Sequence, residues 1–167
     1  MKLLETTSAE PLDPWPSSSP QAYLSRRYHL SASHRLHSDA FTPEENQAAY
    51  GKCNNPHGHG HNYIVEITVG GPVDPSTGMV CDLAQLDAFA QINLFQQFDT
   101  MNLNTLTIFR DLVSTTENFT IVVFRIFERF PGAKVSRVRI EETGNNSFEF
   151  QSEFQAEKQF SRKAESK

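Results

Sequence analysis

The chain has 167 residues, 38% of them hydrophobic, and a formal net charge of -5 at pH 7. That length suits one compact domain whose core needs no disulfide or metal staple, and the acidic balance excludes a protein that grips nucleic acid or an anionic membrane through a basic face. The two cysteines, Cys53 and Cys81, sit in unlike contexts and form no disulfide framework, which points to free thiols and a cytoplasmic protein.

Residues 1–22 hold four prolines and a Ser-Ser-Ser run. They carry too little apolar surface to offset the entropy of ordering, so a disordered leader is expected there. The leader has no apolar stretch suited to a signal peptide, and no run in the chain approaches the roughly 18 apolar residues of a membrane span. A single domain is expected over 23–150. Its first strand is read from "YHLSASHRL", where alternation places Tyr28, Leu30, Ala32, His34 and Leu36 on one face. "HGHNYIVEITV" repeats the device, with His59, His61, Tyr63, Val65, Ile67 and Val69 on a common face. Two strands therefore end their apolar faces in histidine.

"GGPVDPSTGMV" (70–80) reads as a turn, after which Asp82 caps a helix over 82–96 carrying Leu83, Leu86, Ala90 and Leu94. A second helix opens at "STTE" (114–117), where Ser114 and Glu117 fit a capping box. It continues with Phe119, Val123, Ile126, Phe127 and Phe130 at helical spacing until Pro131. "KVSRVRIEE" alternates and meets "SFEF" across Gly144, Asn145 and Asn146 as a hairpin. Residues 151–167 are mostly polar and read as a C-terminal tail. The order strand, strand, helix, helix, strand, strand predicts an α+β fold: an antiparallel four-stranded sheet with two helices on one face.

His59 and His61, two apart on a strand, point the same way; His34 from a neighbouring strand would complete three nitrogens around a metal with an open fourth position. His-x-His pairs also end strands without a metal, and spacing alone leaves both readings open. His29, His37 and His57 read as surface residues. Cys53, on a Gly/Asn/Pro-rich loop six residues before His59, is either inert packing or, near a cation, a base or nucleophile. Cys81, beside Met79 and Val80, fits inert packing. Glu142 shares a face with Val138 and Ile140, so its carboxylate needs a partner. An arginine would supply one structurally; the N–H groups of an amidine-like ring edge would do so functionally.

"SASHRL", "GKCNNPHGHGHNY", "PSTGMV", "STTEN" and "EETGNN", in this order between Arg26 and Phe150, resemble the eukaryotic 6-pyruvoyl tetrahydropterin synthases. The resemblance implies a tunnelling fold, in which sheets of three subunits close a barrel and two trimers stack as a homo-hexamer with sites between subunits. It implies a zinc-dependent lyase of tetrahydrobiopterin biosynthesis that turns 7,8-dihydroneopterin triphosphate into 6-pyruvoyl tetrahydropterin with release of triphosphate. The partner implied is thus a small-molecule pterin, without nucleic acid or membrane. On this resemblance His34, His59 and His61 bind Zn2+, Cys53 is the thiolate base, and Asp99 belongs to its proton relay. Glu142 accepts the pterin's N–H groups, and Thr115 and Thr116 add contacts at a helix N-terminus; charge and position, rather than the resemblance, suggest Arg26 and Arg27 for the triphosphate.

One position departs from the family pattern: "FDTMNL" keeps Asp99 but has Thr100 where the relay histidine is expected. A threonine hydroxyl is too weak a base to replace an imidazole, and general acid–base help is worth roughly 10²- to 10⁴-fold. Two further readings follow from this. One is a catalytically weakened pterin-binding paralogue; the other is an enzyme that cleaves the side chain of a related dihydropterin.

Overall fold

The structure, a computed structural model, describes residues 19–151. Most of the leader and nearly all of the tail expected from the sequence lie outside the described residues. Two long strands dominate. β1 (Gln21–His34) and β2 (His59–Pro72) run antiparallel from the pair Gln21 and Pro72 to the pair His34 and His59. β2 continues the sheet to β4 (Lys134–Glu141), and β4 to β5 (Ser147–Gln151), both antiparallel. The expected alternation holds: Tyr28, Leu30, Ala32 and His34 on β1 and Tyr63, Val65, Ile67 and Val69 on β2 are buried.

The four-stranded antiparallel sheet needs correcting. A fifth strand, β3 (Met101–Asn102), lies on the outer edge of β1 and pairs with it in parallel at Ala32 and Ser33, making a mixed sheet of order β3-β1-β2-β4-β5. Its two residues are too short a run to leave a period-two signal. The segment is anchored by side chain and backbone together: the Asp99 carboxylate accepts from the Ser31 amide at 2.8 Å, and the Thr100 amide donates to the Ser31 carbonyl at 2.6 Å.

Helices cover the inward face. α1 (Pro43–Tyr50) lies in the β1–β2 connection, where no helix was expected. Its start is written in the sequence, since Thr42 and Glu45 form a reciprocal capping box with Pro43 in the first turn. It lacks an apolar stripe and buries only Asn46, so hydrophobic periodicity could not reveal it. α2 (Leu83–Ala90) is capped by the Asp82 carboxylate as expected and passes through a π-helical turn, Gln91–Phe95, into α3 (Gln96–Phe98). α4 (Thr116–Phe127) begins one residue later than the sequence suggests. Thr115, not Ser114, is its N-cap, accepting from the Asn118 amide, and the Ser114–Glu117 capping box does not form.

Leu86, Ala90 and Leu94 join Phe119, Val123 and Phe127 in one core with the strands' inward residues, including Val138 and Ile140. An edge-on aromatic row runs beneath the histidines: the rings of Tyr63 and Phe119 are 5.6 Å apart and those of Phe119 and Phe98 are 5.1 Å apart. Rings in such contacts add roughly 0.5–1.5 kcal/mol per pair beyond the area they bury. This packing makes a rigid floor for the site.

Candidate metal centre and active site

The β1–β2 register brings His34 opposite His59, and the pleat puts His61 on the same face two residues on. One ring nitrogen from each of the three lies within 4.8 Å of the others. His34 is 2% exposed, and its Nδ1 is 2.7 Å from the Ser114 carbonyl oxygen. A carbonyl can only accept, so Nδ1 carries the proton and donates, which leaves the Nε2 lone pair directed into the cluster. There Nε2 stands 3.2 Å from Nε2 of His59. His61 Nε2 is buried without a hydrogen-bond partner.

Burial is the main influence lowering the basicity of His34 and of His59, and the neighbouring imidazoles act in the same direction. Both rings therefore stay neutral to lower pH than an exposed histidine, the state in which imidazole ligates a metal. Converging lone pairs, a buried orphan nitrogen and a donor set of three imidazoles fit a borderline-soft divalent cation with an open side.

Glu142 follows β4, its backbone amide fixed to the Asn146 carbonyl in the hairpin turn. Its Oε1 accepts from the Thr116 hydroxyl at 2.5 Å and lies 3.7 Å from Nε2 of both His34 and His61. No arginine pairs it among the described residues. The carboxylate thus faces the histidine cluster, with Thr116 as its brace. Thr115 is spent on capping α4, at the same corner of the site.

Cys53 stands outside the three-histidine set, half-buried on a 3-10 turn, Gly51–Asn54, with its carbonyl accepting from the Leu36 amide at 2.9 Å. Asp99 sits on the far edge of β1, its carboxylate bound to the Ser31 amide. Within one chain, then, the structure gathers His34, His59, His61, Glu142 and Thr116, while Cys53 and Asp99 lie on segments flanking them. Arg26 and Arg27 are elsewhere. Eight and seven residues back from His34 along β1, at about 3.3 Å per residue, they are paired with Asp87 and Glu141.

Sequence reasoning passed over three contributors. Tyr63, 1% exposed, packs its ring 5.4 Å from that of His61, and its hydroxyl has no hydrogen-bond partner. Its position two residues past His61 on one face was the available signal. Buried Asn54 ties the cysteine loop to β1's continuation, with its amide nitrogen 2.6 Å from the Leu36 carbonyl oxygen. Ser114 contributes a carbonyl, for which no side-chain pattern exists.

Gly58 precedes His59 at φ 67°, and a Cβ there would lie 2.8 Å from the His34 carbonyl oxygen. Gly58→Ala is expected to cost about 1–2 kcal/mol for the left-handed backbone alone, and more as His34 and His59 are pushed apart. Thermal melts with and without added zinc check this; an unchanged melting temperature would show that the loop relaxes freely.

Fold and site together define an α+β protein with an open-sided three-histidine centre. The family model for 6-pyruvoyl tetrahydropterin synthase matches residues 23–153, and the chain belongs to that family. It is 45% identical over 128 residues to 6-pyruvoyl tetrahydrobiopterin synthase of Homo sapiens, covering 75% of this chain and 88% of that one. Identity to the Dictyostelium discoideum protein of the same name is 38% over 126 residues, 74% of this chain and 90% of that one. The structure of Caenorhabditis elegans 6-pyruvoyl tetrahydropterin synthase is similar at a TM-score of 0.77 and 38% identity, covering 81% of this chain and 98% of that one. Among the described residues no helix is long and apolar enough to cross a membrane.

Proposed function

We propose that the chain is a zinc-dependent lyase of tetrahydrobiopterin biosynthesis, converting 7,8-dihydroneopterin triphosphate to 6-pyruvoyl tetrahydropterin with release of triphosphate. The observation that carries this is the three-histidine cluster, with the Glu142 carboxylate beside it, in a chain of this family. His34, His59 and His61 would hold the zinc, which when bound polarises side-chain oxygens and acidifies the neighbouring C–H bonds. The remaining work falls to the protein. Cys53 removes those protons as thiolate, and Asp99 supports the proton transfers. Glu142, held by Thr116, accepts hydrogen bonds from the substrate; its closeness to the histidines directs it to the part of the substrate next to the metal. Elimination and internal rearrangement balance without an external oxidant or reductant.

The same reading places the chain in the cytoplasm as a homo-hexamer of two trimers, the subunit sheets closing a barrel. Anaerobic incubation of the zinc-loaded protein with 7,8-dihydroneopterin triphosphate tests the activity, by following triphosphate release and identifying the pterin product. Pterin binding without triphosphate release would overturn it in favour of a binding paralogue, and a product lacking the side chain would indicate carbon–carbon cleavage.

Thr100 is the observation that favours a weakened enzyme. It is the only non-glycine residue at positive φ among the described residues, at 61°. A β-branched side chain is poorly suited to that region, where histidine and asparagine are enriched. Thr100→His is therefore expected to keep or raise the melting temperature and to increase turnover by about 10²-fold or more. Unchanged turnover would assign the relay to another group already present.

A further inference from the structure

Buried polar atoms in folded proteins are paired, and the exceptions mark a ligand or a functional role. Among the described residues two buried side-chain atoms make no hydrogen bond: Nε2 of His61 and the hydroxyl oxygen of Tyr63. They belong to neighbours on one face of β2, where the two-residue period of the strand points both side chains inward. The metal centre accounts for the His61 lone pair. It does not account for Tyr63, because the free proton of a phenol needs an acceptor, which a cation cannot be.

The Tyr63 ring is held on several sides. Its centroid lies 5.4 Å from that of His61, 5.6 Å from that of Phe119 and 6.4 Å from that of His34, and the residue is 1% exposed. A ring packed this closely does not swing out to water, so its hydroxyl has to be served from inside the site. Burial is the main influence keeping the phenol protonated, the Glu142 charge acts in the same direction, and the Thr116 hydroxyl acts against them. The group is thus a donor at neutral pH, and the polar groups that bear on it are already joined to each other: Thr116 donates to Glu142 Oε1 at 2.5 Å. The Thr116 oxygen uses its proton in that bond and keeps lone pairs that can accept another.

We propose that Tyr63 is a positioning residue for Glu142: its hydroxyl donates to Thr116 as the carboxylate takes up the N–H groups of a pterin, completing a chain from Tyr63 through Thr116 to Glu142. The inference rests on the function proposed above and concerns how the glutamate of that site is aimed. A hydroxyl that accepts a hydrogen bond becomes a stronger donor, so the bond from Thr116 to Glu142 strengthens when Tyr63 joins it. Donors on the ligand fix the carboxylate from one side and the chain fixes it from the other. No proton changes owner, and Tyr63 acts only through Thr116.

Tyr63→Phe removes the hydroxyl and keeps the ring contacts. Phosphate-free 7,8-dihydroneopterin is titrated by calorimetry into the zinc-loaded wild type, Tyr63→Phe, Thr116→Val and the double variant. Because Tyr63→Phe breaks no hydrogen bond, its zinc content should match wild type, and its melting temperature without pterin should equal or exceed it. Pterin affinity should fall by about 5- to 10-fold, the scale of one net hydrogen bond. KM for the triphosphate substrate should rise by a similar factor, and kcat should change less. With Thr116→Val already present, Tyr63→Phe should have no further effect on pterin affinity, whereas with Thr116→Ser, which keeps the hydroxyl, its effect should return. Wild-type pterin affinity in Tyr63→Phe, or losses that add in the double variant, would overturn the chain. So would a lower melting temperature of pterin-free Tyr63→Phe, which would give the hydroxyl a structural partner instead. If wild type turns over the substrate and Tyr63→Phe does so at the same KM, the positioning role falls alone. If pterin binding depends on Tyr63 through Thr116 but the triphosphate substrate is never processed, the positioning role stands and the proposed lyase activity falls. A wild type that binds no pterin overturns both.

Discussion

His61→Ala is expected to abolish stoichiometric zinc binding and, with it, triphosphate release, while leaving the fold intact. His61 is the cleanest of the three ligands to remove. Its Nε2 makes no hydrogen bond, so alanine strands no partner. His34 is different: removing it would leave the buried Ser114 carbonyl unpaired, at about 1–3 kcal/mol, and a loss of activity could then be blamed on folding. Two remaining imidazoles cannot complete the three-ligand set of a catalytic centre. Lewis-acid stabilisation of several kcal/mol corresponds to a fall of about 10²- to 10³-fold or more in turnover. Elemental analysis gives the metal content and a thermal melt of the zinc-free protein gives the stability. Full zinc occupancy in His61→Ala would show that the cluster is not the metal site.

Cys53→Ala should separate base from metal. Cys53 is the thiolate base of the proposed reading, and it stands outside the histidine set. Its structural tie, the carbonyl that accepts from Leu36, survives in alanine. Zinc content and pterin affinity are therefore expected to hold, while turnover falls by about 10²- to 10⁴-fold, the range for losing a general base. Stopped-flow or steady-state measurement of triphosphate release checks it. Turnover equal to wild type would remove the thiolate from the mechanism and leave Glu142 as the basic group beside the histidines. The two variants complement each other, because one should lose the ion and the other should lose only proton transfer.

Period-two alternation made His34, His59 and His61 legible as inward-facing residues, because side-chain direction along a strand is set by local backbone geometry. The Asp82 cap and the buried face of α4 were legible for the same reason. Where tertiary contacts compete with local rules, the local reading slipped. Ser114 looked like the cap of α4, but its carbonyl accepts the hydrogen bond from His34 Nδ1 and Thr115 caps the helix instead. α1 carries its capping box in plain view and yet has no apolar face to give it a period.

The sequence by itself therefore determined four of the five strands, the helices that begin near Asp82 and Thr115, the inward-facing histidines and, through its motifs, the family. Only the tertiary structure decided that Glu142 turns to the histidines rather than to an arginine and that β3 joins the sheet. The reason is physical. Strand period and helix caps depend on neighbours a few residues away. The approach of Glu142 to His34 depends on sheet register and on loops whose closure is won only by burying the whole core.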